Sequence, residues 1–150
     1  MFWELISQNS RVLIKSERIR NSHMTQTAGK KNLSSHEIAK HIASLSLSKK
    51  AIDIKILDVR NLTSVTDFFV ICSGDSDMQV KAISEEIIEK LKEINIRPWH
   101  KEGVTNFQWV LLDFIDVVVH IFRTEVRRFY GLESLWGDAK IEEVKDSDDS

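Results

Sequence analysis

Trp109-Val-Leu-Leu-Asp-Phe-Ile-Asp-Val-Val-Val-His-Ile-Phe122 is the stretch that decides the fold. Apart from Asp113, Asp116 and His120 every residue in it is apolar, and β-branched and aromatic types dominate, a composition that favours strands. Its fourteen residues exceed an ordinary strand, and a polar break divides the run at Asp113 to Asp116. Two antiparallel strands follow, at about 108–113 and 116–122, joined by a tight turn at the centre of a sheet. With two acids inside, the run is too short and too charged to cross a bilayer. Along the first strand Trp109, Leu111 and Asp113 share one face, and Val110, Leu112 and Phe114 share the other.

The residues before this hairpin supply its neighbours. Ser34-Ser35-His36-Glu37 is a capping box, and Ile38, Ile42 and Leu45 then form one apolar stripe on a helix to about Ser48. Ala51 to Val59 alternates Ile52, Ile54 and Ile56 with polar residues, the pattern of a half-buried strand. Asp67 to Cys72 is continuously apolar after its first residue, as a central strand is. Ser76 and Gln79 make a second capping box, and Val80, Ile83, Ile87, Leu91 and Ile94 mark a helix that Asn95 closes. Pro98 assigns the short strand 96–101 to a sheet edge. After Phe122 the chain is helical or helix-turn from Glu125 to Trp136, with Phe129, Leu132 and Trp136 available to pack back on the sheet. This order implies a single α/β (α+β) domain over 33–137, with a mixed five-stranded sheet and helices mainly on one face.

Both ends differ in composition from this body. Residues 1–32 show no sustained period and read as an extension or an organellar presequence. Residues 138–150 are mostly acidic and read as a disordered, solvated tail. The net charge of −2 hides a split, because residues 1–32 carry +4 and the remainder −6. A body of that sign excludes nucleic-acid binding over a broad surface, since phosphate contact requires clustered Lys and Arg. A protein or small-molecule partner fits better. The lone cysteine, Cys72, cannot form an internal disulfide and suits a reducing compartment.

Few residues invite chemistry. Ser73-Gly74-Asp75-Ser76 is a strand-to-helix turn that could offer amides to an anion, but it lacks the glycines and lysine of a phosphate-binding loop. An enzyme reading would pair that turn with Asp113 and Asp116 around Mg²⁺, as a nucleotidyltransferase-like or hydrolytic site, although three residues across a turn is weak geometry. Cys72 reads as a small core hydrophobe, and His120, set among valines, as a hydrogen-bonded core histidine. His36 and His41 point to different sides of their helix and are not a metal pair. No catalytic residue, metal or cofactor is expected. The face bearing Trp109, Leu111 and Asp113 is either core or an aromatic anchor beside an acid, which would suit a basic protein partner.

Several ordered motifs now carry a resemblance. Thr66-Asp67-Phe68-Phe69-Val70-Ile71, the Ser73–Ser76 turn with Gln79-Val80 and Ala82-Ile83, Glu102-Gly103, Trp109–Asp113, Asp116–Phe122 and Tyr130-Gly131-Leu132-Glu133-Ser134-Leu135-Trp136 together resemble the ribosomal silencing factor (RsfS, Iojap) family over about residues 33–137. The resemblance implies a fold related to nucleotidyltransferases without their catalytic machinery. It implies binding to the large ribosomal subunit through large-subunit protein fourteen, which keeps the small subunit from joining and represses translation under nutrient limitation. Family members in organelles act in ribosome assembly in mitochondria or plastids, so the expected location is the cytoplasm, with an organelle as the alternative. The expected contact surface is Trp109, Leu111, Asp113 and the turn Phe114, Ile115 and Asp116. The family often has Gly where this chain has Ile115, and a β-branched residue there points to a turn without positive φ. Exposed strand edges leave a homodimer open.

Overall fold

The computed structural model describes residues 32–146, so the extension read at residues 1–32 lies outside the described residues except for Asn32. Helix α1 spans Ser35–Ser48, and its capping box is complete: the Ser34 Oγ accepts from the Glu37 amide at 3.1 Å, and the Glu37 carboxylate accepts from the Ser34 amide at 2.7 Å. Strands β1 (Ile52–Asp58) and β2 (Phe68–Gly74) follow, then helix α2 (Asp77–Glu93). The second capping box forms by half. Ser76 accepts from the Gln79 amide, but the Gln79 side chain accepts from the Asp75 amide at 2.7 Å and donates to the Lys50 carbonyl at 2.8 Å, tying α2 to the end of α1.

Strand β3 (His100–Glu102) leads into the hairpin of β4 (Trp109–Asp113) and β5 (Val117–Arg123), whose limits match the expected strands within two residues. Two short helices, α3 (Thr124–Tyr130) and α4 (Leu132–Leu135), break at Gly131, where φ is 55°. Glycine adopts that left-handed backbone without a Cβ penalty and so ends α3. A last strand, β6, spans Lys140–Val144.

The sheet order is β3-β4-β5-β2-β1-β6. Only β2 and β5 pair in parallel, and β2 lies at the centre with all seven residues buried. Helices α1 and α2 cover one face, where Ile42, Ile83, Ile87 and Leu91 meet Ile56, Val70, Val110, Leu112 and Ile121. On the other face Leu57, Phe69, Ile71, Trp109, Leu111, Val118 and Phe122 form a second cluster, closed by Leu132, Val126 and Trp136. Pro98 precedes β3, which sits at one edge as expected.

Two expectations are corrected. The sheet has six strands rather than five, because the acidic segment after Gly137 contains β6, paired antiparallel to β1 from Asp58↔Lys140 to Ile54↔Val144. An edge strand tolerates this composition, since its charged side chains stay in water while alternate positions are used. Val144 packs against the helix-side cluster, and Glu142 meets the His36 ring at 3.1 Å. Phe129 does not pack on the sheet: it is 80% exposed. The inward positions of α3 belong instead to Val126 and to Arg127, which is buried.

Candidate partner-binding surface

The β4–β5 pairing sets Trp109 opposite Phe122 and Leu111 opposite His120, so these side chains share the face away from α1 and α2. That face is covered. Helices α3 and α4 fold back across the sheet and leave Trp109 7% exposed, with Leu111 and Asp113 also buried. Trp109 is therefore core, the first of the two readings that its periodicity left open, and does not stand on an open sheet surface. Its indole Nε1–H donates to Nδ1 of His120 at 3.0 Å. Because an indole can only donate, Nδ1 is the acceptor and the imidazole proton sits on Nε2. Burial holds His120 neutral, its pKa pulled down to about 3.

The buried tryptophan nevertheless has an exposed continuation. Trp136 packs edge-on against Phe69 with ring centroids 5.1 Å apart, and Phe69 meets His120 at 5.3 Å. Trp109 then contacts Tyr130 at 5.3 Å, and Tyr130 contacts Phe129 edge-on at 4.9 Å. This aromatic series emerges at Tyr130, which is 36% exposed, and at Phe129. Leu135 on α4 is exposed as well. Sequence reasoning missed this rim, since Phe129 was expected inside; the missed signal was Arg127, whose inward position turns residue 129 outward.

Arg127 fastens α3 to the sheet. Its Nε donates to Glu133 at 2.6 Å, and Nη1 donates to the Ser73 Oγ at 2.8 Å and the Asp53 carbonyl at 2.7 Å. The Asp53 carbonyl belongs to a bulge in β1 where φ is 50°. Lys55 reaches Glu133 at 3.3 Å from the same strand. Burial alone would raise the Glu133 carboxyl, but the hydrogen bond and charge of Arg127 and then Lys55 hold it below the usual range.

The remaining expected contact residues lie at the other end of the hairpin, roughly 13 Å from Trp109 at the rise of an extended strand. Phe114 is buried in the helix-side cluster. Asp113 is buried, and its Oδ1 accepts from the Ile115 amide at 2.8 Å, so this carboxylate shapes the turn. Ile115 and Asp116 are half-exposed. The Asp116 amide donates to the Phe114 carbonyl at 3.0 Å across Ile115, whose φ is 76°. The turn is thus of the strained three-residue kind with positive φ, not the alternative geometry that an isoleucine suggested.

The strand-to-helix turn after β2 is occupied by its own ion pairs. Asp77 takes hydrogen bonds from Arg123 and, at 2.8 Å, from Gln108, and these hold its carboxyl below the usual range. Thr124 Oγ1 lies 3.3 Å from both the Gly74 carbonyl and an Asp75 carboxylate oxygen. An incoming anion would meet two carboxylates there. Burial pushes the Cys72 thiol up to about 12, well above the range in which a thiolate forms. Among the described residues no three His, Cys, Asp or Glu side chains converge in a metal-binding arrangement, and no helix is long and apolar enough to cross a membrane.

Comparison with known proteins places this architecture. Residues 32–150 match the family model described as "Ribosomal silencing factor during starvation". The chain is 43% identical over 107 residues to the ribosomal silencing factor RsfS of Bacillus subtilis, covering 71% of this chain and 91% of that one. It is 42% identical over 93 residues to the chloroplastic protein Iojap of Zea mays, covering 60% of this chain and 39% of that one. The crystal structure of protein CV0518 from Chromobacterium violaceum superposes with a TM-score of 0.69 at 36% identity, covering 77% of this chain and 96% of that one. The sequence match over nearly all of the described residues, together with the shared fold, makes this chain a member of the ribosomal silencing factor family.

Proposed function

We propose that this protein binds the large ribosomal subunit through large-subunit protein fourteen and keeps the small subunit from joining, so repressing translation when nutrients are scarce. The observation that carries this reading is the exposed rim of Phe129 and Tyr130, rooted through ring contacts on the buried Trp109. A rigid aromatic anchor loses little conformational entropy on binding and can contribute ~2 kcal/mol, about 30-fold in affinity. In this reading Trp109, Leu111, Asp113 and Phe114 form the buried support of the contact surface, and the half-buried Ile115 and Asp116 are its second point. The mechanism needs no reaction, cofactor or metal, because two bodies cannot occupy one face of a subunit. The cytoplasm is the proposed location; a chloroplastic relative, and a mouse relative named for mitochondrial assembly of the ribosomal large subunit, support a second reading, an organellar assembly factor of the large subunit.

Co-sedimentation with separated subunits tests the proposal. The wild type pellets with large subunits and lowers the yield of joined ribosomes, and Phe129→Ala weakens pelleting about tenfold with little change in folding. Wild-type protein that stays in the supernatant would remove the proposal. Calorimetry with Mg²⁺ and nucleotides separates the enzyme alternative, which requires saturable binding at Asp113 and Asp116.

A further inference from the structure

The negative charge of the body is not spread evenly. Residues 90–101 hold Lys90, Lys92, Arg97 and Lys101 against the single acid Glu93, and Glu93 is already paired with Lys90 at 3.6 Å. The fold draws the other three cations to one corner. Helix α2 ends beside Lys92, and Asn95, at φ 63°, turns the chain so that the Ile96 amide closes back on the Leu91 carbonyl at 2.8 Å. The chain then returns to the margin of the sheet, where the Trp99 amide donates to the Asp113 carbonyl at 2.8 Å. Lys101 pairs with Leu112, a member of the helix-side cluster, so its side chain leaves the outermost strand on the side that α2 covers. The pleat sends the next residue, Glu102, to the opposite side with Leu111, where it meets His100 at 2.8 Å.

Lys92, Arg97 and Lys101 are exposed, and among the described residues their side chains make no hydrogen bond or ion pair. Set between them are two apolar groups in water, Trp99 at 36% exposure and Ile94 at 43%. The far edge of the sheet is the reverse, with Glu142 and Glu143 on β6. Uncommitted cations around an exposed indole suit an unpaired stretch of RNA, whose phosphates meet the cations while a base stacks on the ring. A carboxylate-rich peptide would satisfy the cations but offers no flat face to the indole. The corner is small, so it does not conflict with a body too acidic to bind nucleic acid broadly.

We propose that Lys92, Arg97, Trp99 and Lys101 form a binding site for single-stranded RNA, a second contact of this protein with the large subunit beside its protein partner. The inference rests on the function proposed above for the source of the RNA, but the site is tested without ribosomes. Full-length protein is titrated into fluorescent oligo-uridine and oligo-adenosine, with the salt varied. The wild type binds both saturably. Trp99→Ala binds about tenfold more weakly, and Trp99→Phe, which keeps a ring to stack on, recovers most of that loss. The pair Arg97→Ala and Lys101→Ala lowers the slope of log affinity against log salt by about 1.4. The cations of residues 1–32 remain in every variant, so the differences report the corner alone. Both charge substitutions are at exposed positions and leave Tm unchanged, which keeps the test decisive if Trp99→Ala folds poorly. No saturable binding by the wild type overturns the inference. So does an unchanged salt slope in the double variant, or displacement of the RNA by polyglutamate at equal concentration. Wild type that pellets with large subunits yet ignores RNA overturns this inference alone, whereas wild type that binds RNA but not subunits upholds the site and removes the proposed function.

Discussion

The Nε1–H of Trp109 and the Nδ1 of His120 form a buried hydrogen bond of 3.0 Å between adjacent strands of the central hairpin. Each group is what the other needs: an indole that can only donate, and an imidazole kept neutral and therefore able to accept. The bond fixes the ring whose outer neighbour is Tyr130, and through it the exposed Phe129.

Trp109→Phe keeps a ring in the cluster but leaves the His120 Nδ1 without this donor, and should destabilise the fold by about 1–3 kcal/mol. Trp109→Ala also opens a cavity and should cost about 3–5 kcal/mol. Urea unfolding followed by circular dichroism measures both. An alanine variant as stable as the wild type would mean that the indole is not core.

Acid should weaken the fold through His120. In the unfolded chain this residue has its ordinary value of 6.5, whereas in the folded chain it resists protonation down to about 3. Between those values the unfolded state binds the extra proton. The contribution is therefore complete above pH 6.5 and is lost progressively as pH falls towards 3. At pH 5 this one group should lower stability by about 2 kcal/mol relative to pH 7. His120→Gln lacks the titration, and its stability should fall less steeply over that interval in parallel denaturation series.

Arg127→Leu should destabilise the protein by about 3 kcal/mol, because it takes the guanidinium from the Ser73 hydroxyl and the Asp53 carbonyl and leaves the Glu133 carboxylate with Lys55 alone. Hydrogen exchange should then rise at the β1 bulge and in α3. Faster exchange in α3 alone would show that the bulge holds its shape without the guanidinium.

Gly103→Ala should cost about 3 kcal/mol or prevent folding. A Cβ at that position would lie 1.8 Å from the Trp109 carbonyl oxygen, on a backbone whose φ is already 76°. Neither the carbonyl nor the strand behind it can yield. Soluble expression and the urea midpoint check this, and a variant with an unchanged midpoint would mean that the loop before β4 had re-formed.

Much of this fold is legible in local pattern. The Ser34 cap, the alternation along β4 and the edge position announced by Pro98 depend on neighbours in sequence, and all three appear in the structure. What the pattern hides are tertiary decisions. Whether Trp109 is covered depends on where α3 and α4 fold after β5, and nothing in residues 109–122 encodes that. Phe129 faces water because Arg127, a charged residue that composition assigns outside, finds enough partners to be buried. Ile115 adopts a backbone its own sterics oppose because the Asp113 side chain and the hairpin ends outvote it. The strand β6 is obscured by its charge, which an edge position permits.

The place of β6 also bears on how the chain avoids sticking to itself. By pairing from Asp58↔Lys140 to Ile54↔Val144 it occupies hydrogen-bonding groups of β1 that would otherwise run along the margin of the sheet. A protease cut in the segment after Gly137 would release that ribbon and bare a row of amides and carbonyls beside aliphatic side chains, a ready template for a foreign strand. Clipped samples should thus turn turbid or form fibres under conditions in which intact protein stays clear.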